Sequence, residues 1–293
     1  MILEYDFFKS QLNSKLFEDS YSDLLRKIAE NPERYIGLFR PTKPKTKLIQ
    51  NITQSHEIRF GDALEYIFER YFEACGFRLH TKRFRTADDT ELSIDQLFSK
   101  GNILYMIEQK VRDDHDSTKK VGQFDNFENK YFALTQRYDN YTIVPIMWFI
   151  DDSLTKNKNY YWGRMESMSK DYGCAPKLYY GEKMFDTNGG ISDFNYAIWQ
   201  ETLLYLERWK DTLPDMPEVN FDKDAQTVFG EIKDLPPLVY RKLFSNEEII
   251  RQIFPIIFPE GTVLNMLCNY FISKKETIYN TLARLASIHT VVV

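Results

Sequence analysis

The chain has 293 residues, 43% of them hydrophobic and 15% aromatic, with no low-complexity tract, which excludes a disordered or fibrous protein. That length buries a substantial core and accommodates one large domain or two modest ones. With 38 Lys and Arg against 43 Asp and Glu, the net charge of −5 excludes a molecule coated in basic surface but leaves room for a local basic cleft.

Residues 1–52 read as one or two helices, with Leu24, Leu25, Ile28 and Ile36 among the apolar positions. Arg40-Pro-Thr-Lys-Pro-Lys-Thr-Lys47 follows, and its prolines predict an extended arm rather than a helix. Arg40, Lys43, Lys45 and Lys47 either neutralise phosphates along a groove or form a solvated basic linker. From Arg59 to Cys75 the recurrence of Phe60, Leu64, Ile67, Phe68 and Tyr71 predicts a helix that stops at Gly76. Glu65 lies outside that apolar set, one turn after Gly61, where a missing side chain permits close approach of a phosphate backbone. Phe77 to Arg85 alternates as an edge strand with Arg83 and Arg85 on one face, and its lone His80 is assigned no chemistry.

Ser93 to Lys110 predicts a hairpin turned by Ser99-Lys100-Gly101-Asn102. Pairing Phe98 with Ile103 sets Asp95 opposite Met106, so that Met106, Glu108 and Lys110 share its face. Asp95 and Glu108 are then diagonal neighbours, roughly 7–8 Å apart at their backbones, and able to converge on one cation. A slip of one residue sends Asp95 to the other face. The tripeptide Glu-x-Lys also occurs at Glu128-x-Lys130, in a helical pattern, and at Glu231-x-Lys233, in a polar stretch. Only Glu108 ends an apolar run and has an acidic strand residue shortly before it. A buried carboxylate pair needs a compensating cation, and oxygen-only ligands without nearby His or Cys favour Mg²⁺ over zinc. The alternative is an exposed Glu108–Lys110 ion pair with Asp95 turned away.

Val111 to Gln123 reads as a polar loop carrying Arg112, Asp113, His115, Ser117, Thr118, Lys119, Lys120 and Gln123, suited to phosphate and base-edge contacts or simply a solvated turn. A helix from Gly122 to Tyr138 is signalled by Phe124, Phe127, Tyr131, Leu134 and Tyr138. Tyr141 to Ile150 is the next strand, at an edge or bulge because of Pro145. A Lys/Asn turn at Thr155 to Asn159, an aromatic strand near Tyr160 and a helix from Ser192 to Trp209 follow. That helix offers either a buried face or a dimer contact. Pro214-Asp-Met-Pro217 and Pro236-Pro237 bracket a linker into a helical C-terminal segment. Ser245-x-x-Glu248 and Ser273-x-x-Glu276 read as capping boxes that start helices. Together with Val263 to Phe271, the second suggests either a helix-turn-helix-like unit with Lys274, Lys275 and Asn280 on DNA, or plain packing or dimerisation.

At Asp95, Glu108 and Lys110 the sequence resembles the PD-(D/E)XK nucleases, and among them the type II restriction endonucleases, over roughly Arg59 to Ile150. The resemblance implies that Asp95 and Glu108 are the metal-binding acids and that the Gln109 backbone carbonyl assists them. It implies that Lys110 is the lysine beside the attacked phosphate, and that Glu65 completes the site unless it is an ordinary solvated glutamate. Ile94 stands where the name-giving proline would be. The run after Lys110 is similar to the segment that follows the catalytic lysine in some restriction enzymes.

The fold expected is α/β, with a central mixed sheet of restriction-endonuclease-like type over 53–215. A helical segment and basic arm (1–52) and a helical C-terminal segment (216–293) flank it. The function expected is Mg²⁺-dependent cleavage of double-stranded DNA at a short specific sequence, with Mn²⁺ able to substitute, by a homodimer that leaves 5′-phosphate and 3′-hydroxyl ends. The alternatives are a structure-specific repair or recombination nuclease of the same fold, or a catalytically silent DNA-binding module. No organic cofactor and no membrane association are expected. The start Met-Ile-Leu-Glu-Tyr-Asp lacks a basic, then apolar, leader, and Ile143 to Ile150 is too short to span a bilayer. Three separated cysteines, Cys75, Cys174 and Cys268, fit a reducing compartment, so the cytoplasm of a prokaryotic cell is the expected location.

Overall fold

The computed structural model describes residues 1–85, 89–111 and 117–274, and the side chains of all of these except 117 and 118. The helices are α1 (Tyr5–Phe17), α2 (Ser20–Glu30), α3 (Glu33–Ile36), α4 (Pro44–Ala74), α5 (Ser117–Arg137), α6 (Lys158–Tyr172), α7 (Tyr196–Lys210), α8 (Ala225–Ile232), α9 (Pro237–Phe244), α10 (Glu247–Gln252), α11 (Phe254–Ile257) and α12 (Thr262–Lys274). The strands are β1 (Arg78–Leu79), β2 (Arg83–Arg85), β3 (Glu91–Ser93), β4 (Gln96–Lys100), β5 (Ile103–Lys110), β6 (Thr142–Phe149) and β7 (Lys177–Tyr180). Two compact units are present: Met1–Leu12 with Gly61–Thr212, and Asn13–Phe60 with the chain from Leu213 onward.

The first unit is built on a five-stranded mixed sheet in the order β1-β4-β5-β6-β7, as the α/β expectation required. β4 is antiparallel to β1 and β5, whereas β6 is parallel to β5 and β7. Each parallel step crosses over through a helix, α5 and then α6, because parallel neighbours cannot be joined by a tight turn. β5 is buried on both faces. Leu97, Leu104, Met106, Met147 and Phe149 pack with Phe124, Phe127, Tyr131 and Leu134 of α5 and Tyr161, Met165 and Met168 of α6. On the other face an aromatic layer joins the sheet to α4, with ring centroids 4.1 Å apart for Phe72 and Phe98 and 4.8 Å for Phe68 and Trp148. Trp148 donates its Nε1–H to the Gly181 carbonyl at 2.9 Å, so its burial leaves no orphan donor.

The hairpin forms with a tighter turn than the sequence predicted. Lys100 pairs with Ile103 and Leu97 with Met106, leaving Gly101 and Asn102 as a two-residue loop. Gly101 has φ of 60°, the conformation that a type II′ turn needs at its first central position. The register therefore differs by two residues from the expected one, which preserves every face but carries Asp95 from opposite Met106 to opposite Glu108.

Other expectations change too. The edge strand from Phe77 is two strands, because β1 pairs with β4 while β2 pairs with β3 in a separate ribbon. β6 is flanked on both sides, yet β7 pairs with it only from Ile146 onward, so Pro145 lies where that side carries no ladder. Tyr160 belongs to α6, and α5 begins at Ser117, which places Ser117 to Gln123 on a helix instead of a polar loop. The arm from Arg40 to Lys47 is extended only in part: Pro44 opens α4, since a first-turn proline gives up no hydrogen bond.

The second unit is helical, and α2, α3, the N-terminal part of α4 and α8 to α12 share one apolar core around Leu25, Ile28, Phe221, Ile232, Tyr240, Phe254 and Phe271. The Ser245 capping box does not hold, and the partner of Ser273, Glu276, lies outside the described residues. Asn246, not Ser245, caps α10 by accepting from Glu248 N and Ile249 N, and Ser273 lies inside α12. Lys274 ends α12, and Lys275, Glu276 and Asn280 lie outside the described residues. A buried carboxylate anchors the start of α12 instead: Asp222 accepts backbone N–H groups of Glu260 at 2.8 Å, Gly261 at 2.9 Å and Val263 at 2.9 Å. Asp222→Ala strips these donors of their acceptor and is expected to cost about 2–3 kcal/mol. Urea unfolding measures this, and a loss within error of zero would contradict it.

Candidate active site

β4 and β5 bring the two acids together. Continuing their register one step past the Gln96–Ile107 pair sets Asp95 opposite Glu108, on the face that α5 covers. Asp95 sits in a bend just before β4, and its Oδ2 accepts the backbone N–H of Gln109 at 2.8 Å. Lys110 spans both acids, with Nζ 3.6 Å from Asp95 Oδ2 and 3.3 Å from Glu108 Oε2. The alternative of an exposed ion pair with Asp95 turned away does not describe these residues.

Ile94 is buried and donates its N–H to the Lys82 carbonyl at 3.0 Å, a bond that a proline there could not make. Lys82 Nζ in turn donates to the Asp95 carbonyl at 2.9 Å and pairs with Glu69 at 2.7 Å and Glu65 at 3.6 Å. Glu65 thus stands beside the acidic pair on α4 rather than in solvent. Gly61, one turn earlier, has only the Val111 side chain near its missing Cβ, at 3.6 Å. Beneath the pair, Gln96 Nε2 donates to the Glu65 carbonyl at 2.7 Å. Gln96 Oε1 and Gln109 Nε2 are buried without a protein partner.

Sequence reasoning missed Lys82 and Lys130. Lys130 reaches Glu108 Oε1 at 2.6 Å from α5. Its signal was legible: a lysine inside the stripe of Phe127, Tyr131 and Leu134, where an apolar residue belongs.

The charges perturb one another. Burial first, and then the Glu108 charge, push the Asp95 carboxyl up against the opposing pull of Lys110, Lys130 and the Gln109 N–H. Burial and then the Asp95 charge push Glu65 up to about 8. Burial alone would lower Lys110, but the charges of Glu108 and Asp95 outweigh it and hold the ammonium firmly protonated.

The residues expected to touch DNA are dispersed. Arg112 and His115 lie outside the described residues, and Ser117 and Thr118 open α5. Lys119 is exposed on α5, while Lys120 stacks on Tyr160 at 4.8 Å and Gln123 accepts from the Tyr161 hydroxyl at 2.7 Å. In the second unit Lys43 precedes α4, and Lys45 and Lys47 lie in its first two turns, with Lys43 and Lys45 exposed.

The donor set fits a hard divalent cation. Asp95 and Glu108 already share the Lys110 ammonium, Glu65 stands nearby through Lys82, and this all-oxygen donor set suits such an ion. Among the described residues, however, no group of three or more His, Cys, Asp or Glu is gathered as a ready metal cage.

A mixed sheet whose antiparallel hairpin carries acids and a lysine at its end is what the resemblance to restriction endonucleases led one to expect. Residues 68–209 match the model of the family described as type II restriction endonuclease, HinfI. The match implies a site-specific deoxyribonuclease that binds DNA and cleaves it at particular sequences, an activity that is typically metal-dependent. No curated protein and no solved structure matches the chain. Among the described residues no helix is long and apolar enough to cross a membrane.

Glu65 gives the fold a pH dependence. An acid with a higher pKa folded than unfolded holds its proton more tightly in the native state. Its contribution to stability is full below the unfolded value near 4.5 and is lost as pH rises toward about 8. Glu65→Gln removes that loss, so the melting temperature of the metal-free variant should gain on wild type progressively between those pH values. Parallel profiles would refute the shift.

Proposed function

We propose that Asp95 and Glu108, with the backbone carbonyl of Gln109, bind Mg²⁺ beside the scissile phosphate of double-stranded DNA, and that Lys110 is the lysine that serves the attacking water. The observation that carries this reading is the single ammonium of Lys110, within 3.6 Å of Asp95 and 3.3 Å of Glu108. A buried and a partly buried carboxylate sharing one ammonium call for positive charge between them. A divalent ion, Mg²⁺ or in its stead Mn²⁺, supplies charge neutralisation at the phosphate and acidifies water.

The chain's own residues do the rest. Lys110 donates hydrogen bonds to the phosphate and orients the water, and a lysine held protonated by two carboxylates is suited to donating. Once the water has lost its proton to solvent or to a neighbouring carboxylate, its oxygen attacks phosphorus and the bond to the 3′ oxygen breaks. The ends are then a 5′-phosphate and a 3′-hydroxyl. Glu65, raised toward neutrality, is a candidate acceptor or carrier of that proton. Arg112, His115, Ser117, Thr118, Lys119, Lys120 and Gln123 follow Lys110 directly in the chain and are proposed to contact bases and phosphates, with Lys43, Lys45 and Lys47 adding phosphate contacts. On a palindromic target, a two-fold homodimer sets one site on each strand.

Incubation with plasmid and genomic duplex DNA, with and without Mg²⁺, followed by sequencing of the ends, tests the reading. Cuts at one short sequence, only with the metal, are expected. Asp95→Asn and Glu108→Gln should each lower cleavage by at least roughly 10²–10³-fold while specific binding persists in Ca²⁺. Full cleavage by either variant would remove the acidic pair from the mechanism.

A further inference from the structure

Glu108 has a second cationic partner that the Glu-x-Lys pattern does not provide. Lys130 of α5 comes within 2.6 Å of Glu108 Oε1, and the two side chains are 8% and 6% exposed. Lys110 contacts the other oxygen, Oε2, at 3.3 Å, and is more open at 22%. The two lysines therefore divide the carboxylate between them.

Lysines are almost never this buried unless paired, and the helix face that carries Lys130 is otherwise apolar, with Phe127, Tyr131 and Leu134 packed on the sheet. The aliphatic stem is hemmed in by those neighbours, and its ammonium has Glu108 as a close anionic partner. Lys110 differs, since it touches both Asp95 and Glu108 and occupies the space between them. An ion held between the acids would compete with Lys110 for their oxygens, whereas Lys130 reaches Glu108 at its other oxygen from α5.

We propose that Lys130 is the positioning residue of this nuclease site: it pins one oxygen of Glu108 so that the other remains turned toward Asp95 and a divalent cation. The inference rests on the reading of Asp95 and Glu108 as the metal-binding pair. A charged neighbour behind a ligand sets the ligand's orientation and its affinity for the ion, in the manner of hydrogen-bonded partners around metal sites generally.

The test uses the full chain with Lys130→Met, Lys130→Gln, Lys130→Arg and Asp95→Asn. Mn²⁺ binding is read from the spin-resonance signal of free Mn²⁺, and cleavage of a plasmid carrying the site is read against Mg²⁺ concentration. Lys130→Met should weaken Mn²⁺ binding by about 10–100-fold and raise the Mg²⁺ midpoint by the same factor, with the rate largely recovered at saturating Mg²⁺. Lys130→Arg, which keeps the charge, should restore most of the affinity. If the methionine variant does not fold, Lys130→Gln carries the same measurement, with a smaller shift expected. Wild-type Mn²⁺ binding and an unmoved Mg²⁺ midpoint in the folded variant would overturn the inference. Asp95→Asn separates the two ideas: if it too binds Mn²⁺ and cuts as wild type does, the metal-site reading itself has failed, whatever Lys130 does.

Discussion

The nuclease unit is governed by the approach of two like charges. Asp95 and Glu108 face each other across a hairpin whose strands are buried, and two unit charges about 4 Å apart at an effective dielectric near 20 repel by roughly 4 kcal/mol. Nothing apolar in the sheet relieves that. The relief comes from ammonium groups introduced from two elements: Lys110 from β5 itself and Lys130 from α5. Those lysines offset part of the repulsion between the two acids.

This arrangement depends on the hairpin turn more than on any side chain. A two-residue loop with Gly101 in a left-handed conformation fixes the β4–β5 register, and the period of two along a strand converts that register into a choice of face. Lengthening the loop by one residue would turn Asp95 to the α4 side, among Gln96 and Phe98, where neither Lys110 nor Lys130 reaches. The parallel neighbour β6 then holds β5 flat against α5, and α5 delivers Lys130 from the turn next to Phe127. The rigidity of the apolar layer is what gives a flexible lysine one position.

Much of this was legible in the residues. The apolar run ending in Glu108 and Lys110, the stripe of α5 and the helix containing Phe68 and Tyr71 are periodic signals of burial, and burial decided the structure there. Legibility failed where local chemistry competed with period. Pro44 was read as a breaker, although a proline in a first helical turn is harmless. Ser245 matched a capping pattern, although Asn246 supplies the cap of α10. Lys130 was passed over because the tripeptide around it is common. Its true signal, a charge on a buried stripe, becomes informative only once the strand facing that stripe is known to carry an acid.

The departure at Ile94 shows why a family motif can lose a residue without losing its site. A proline before the first acid stiffens the backbone by fixing φ. Here the stiffness comes from a single lysine gripping the bend at two points. The Lys82 carbonyl accepts the N–H of Ile94, and its ammonium donates to the carbonyl of Asp95 while paired with Glu69. Two consecutive residues, Ile94 and Asp95, are thus tied to one lysine, which is itself tied to α4. Isoleucine adds a buried side chain beside Leu92 and Leu97, and its N–H is the donor that makes the first of those ties possible. The constraint on Asp95 has been moved from covalent geometry to hydrogen bonding, and the carboxylate is aimed all the same.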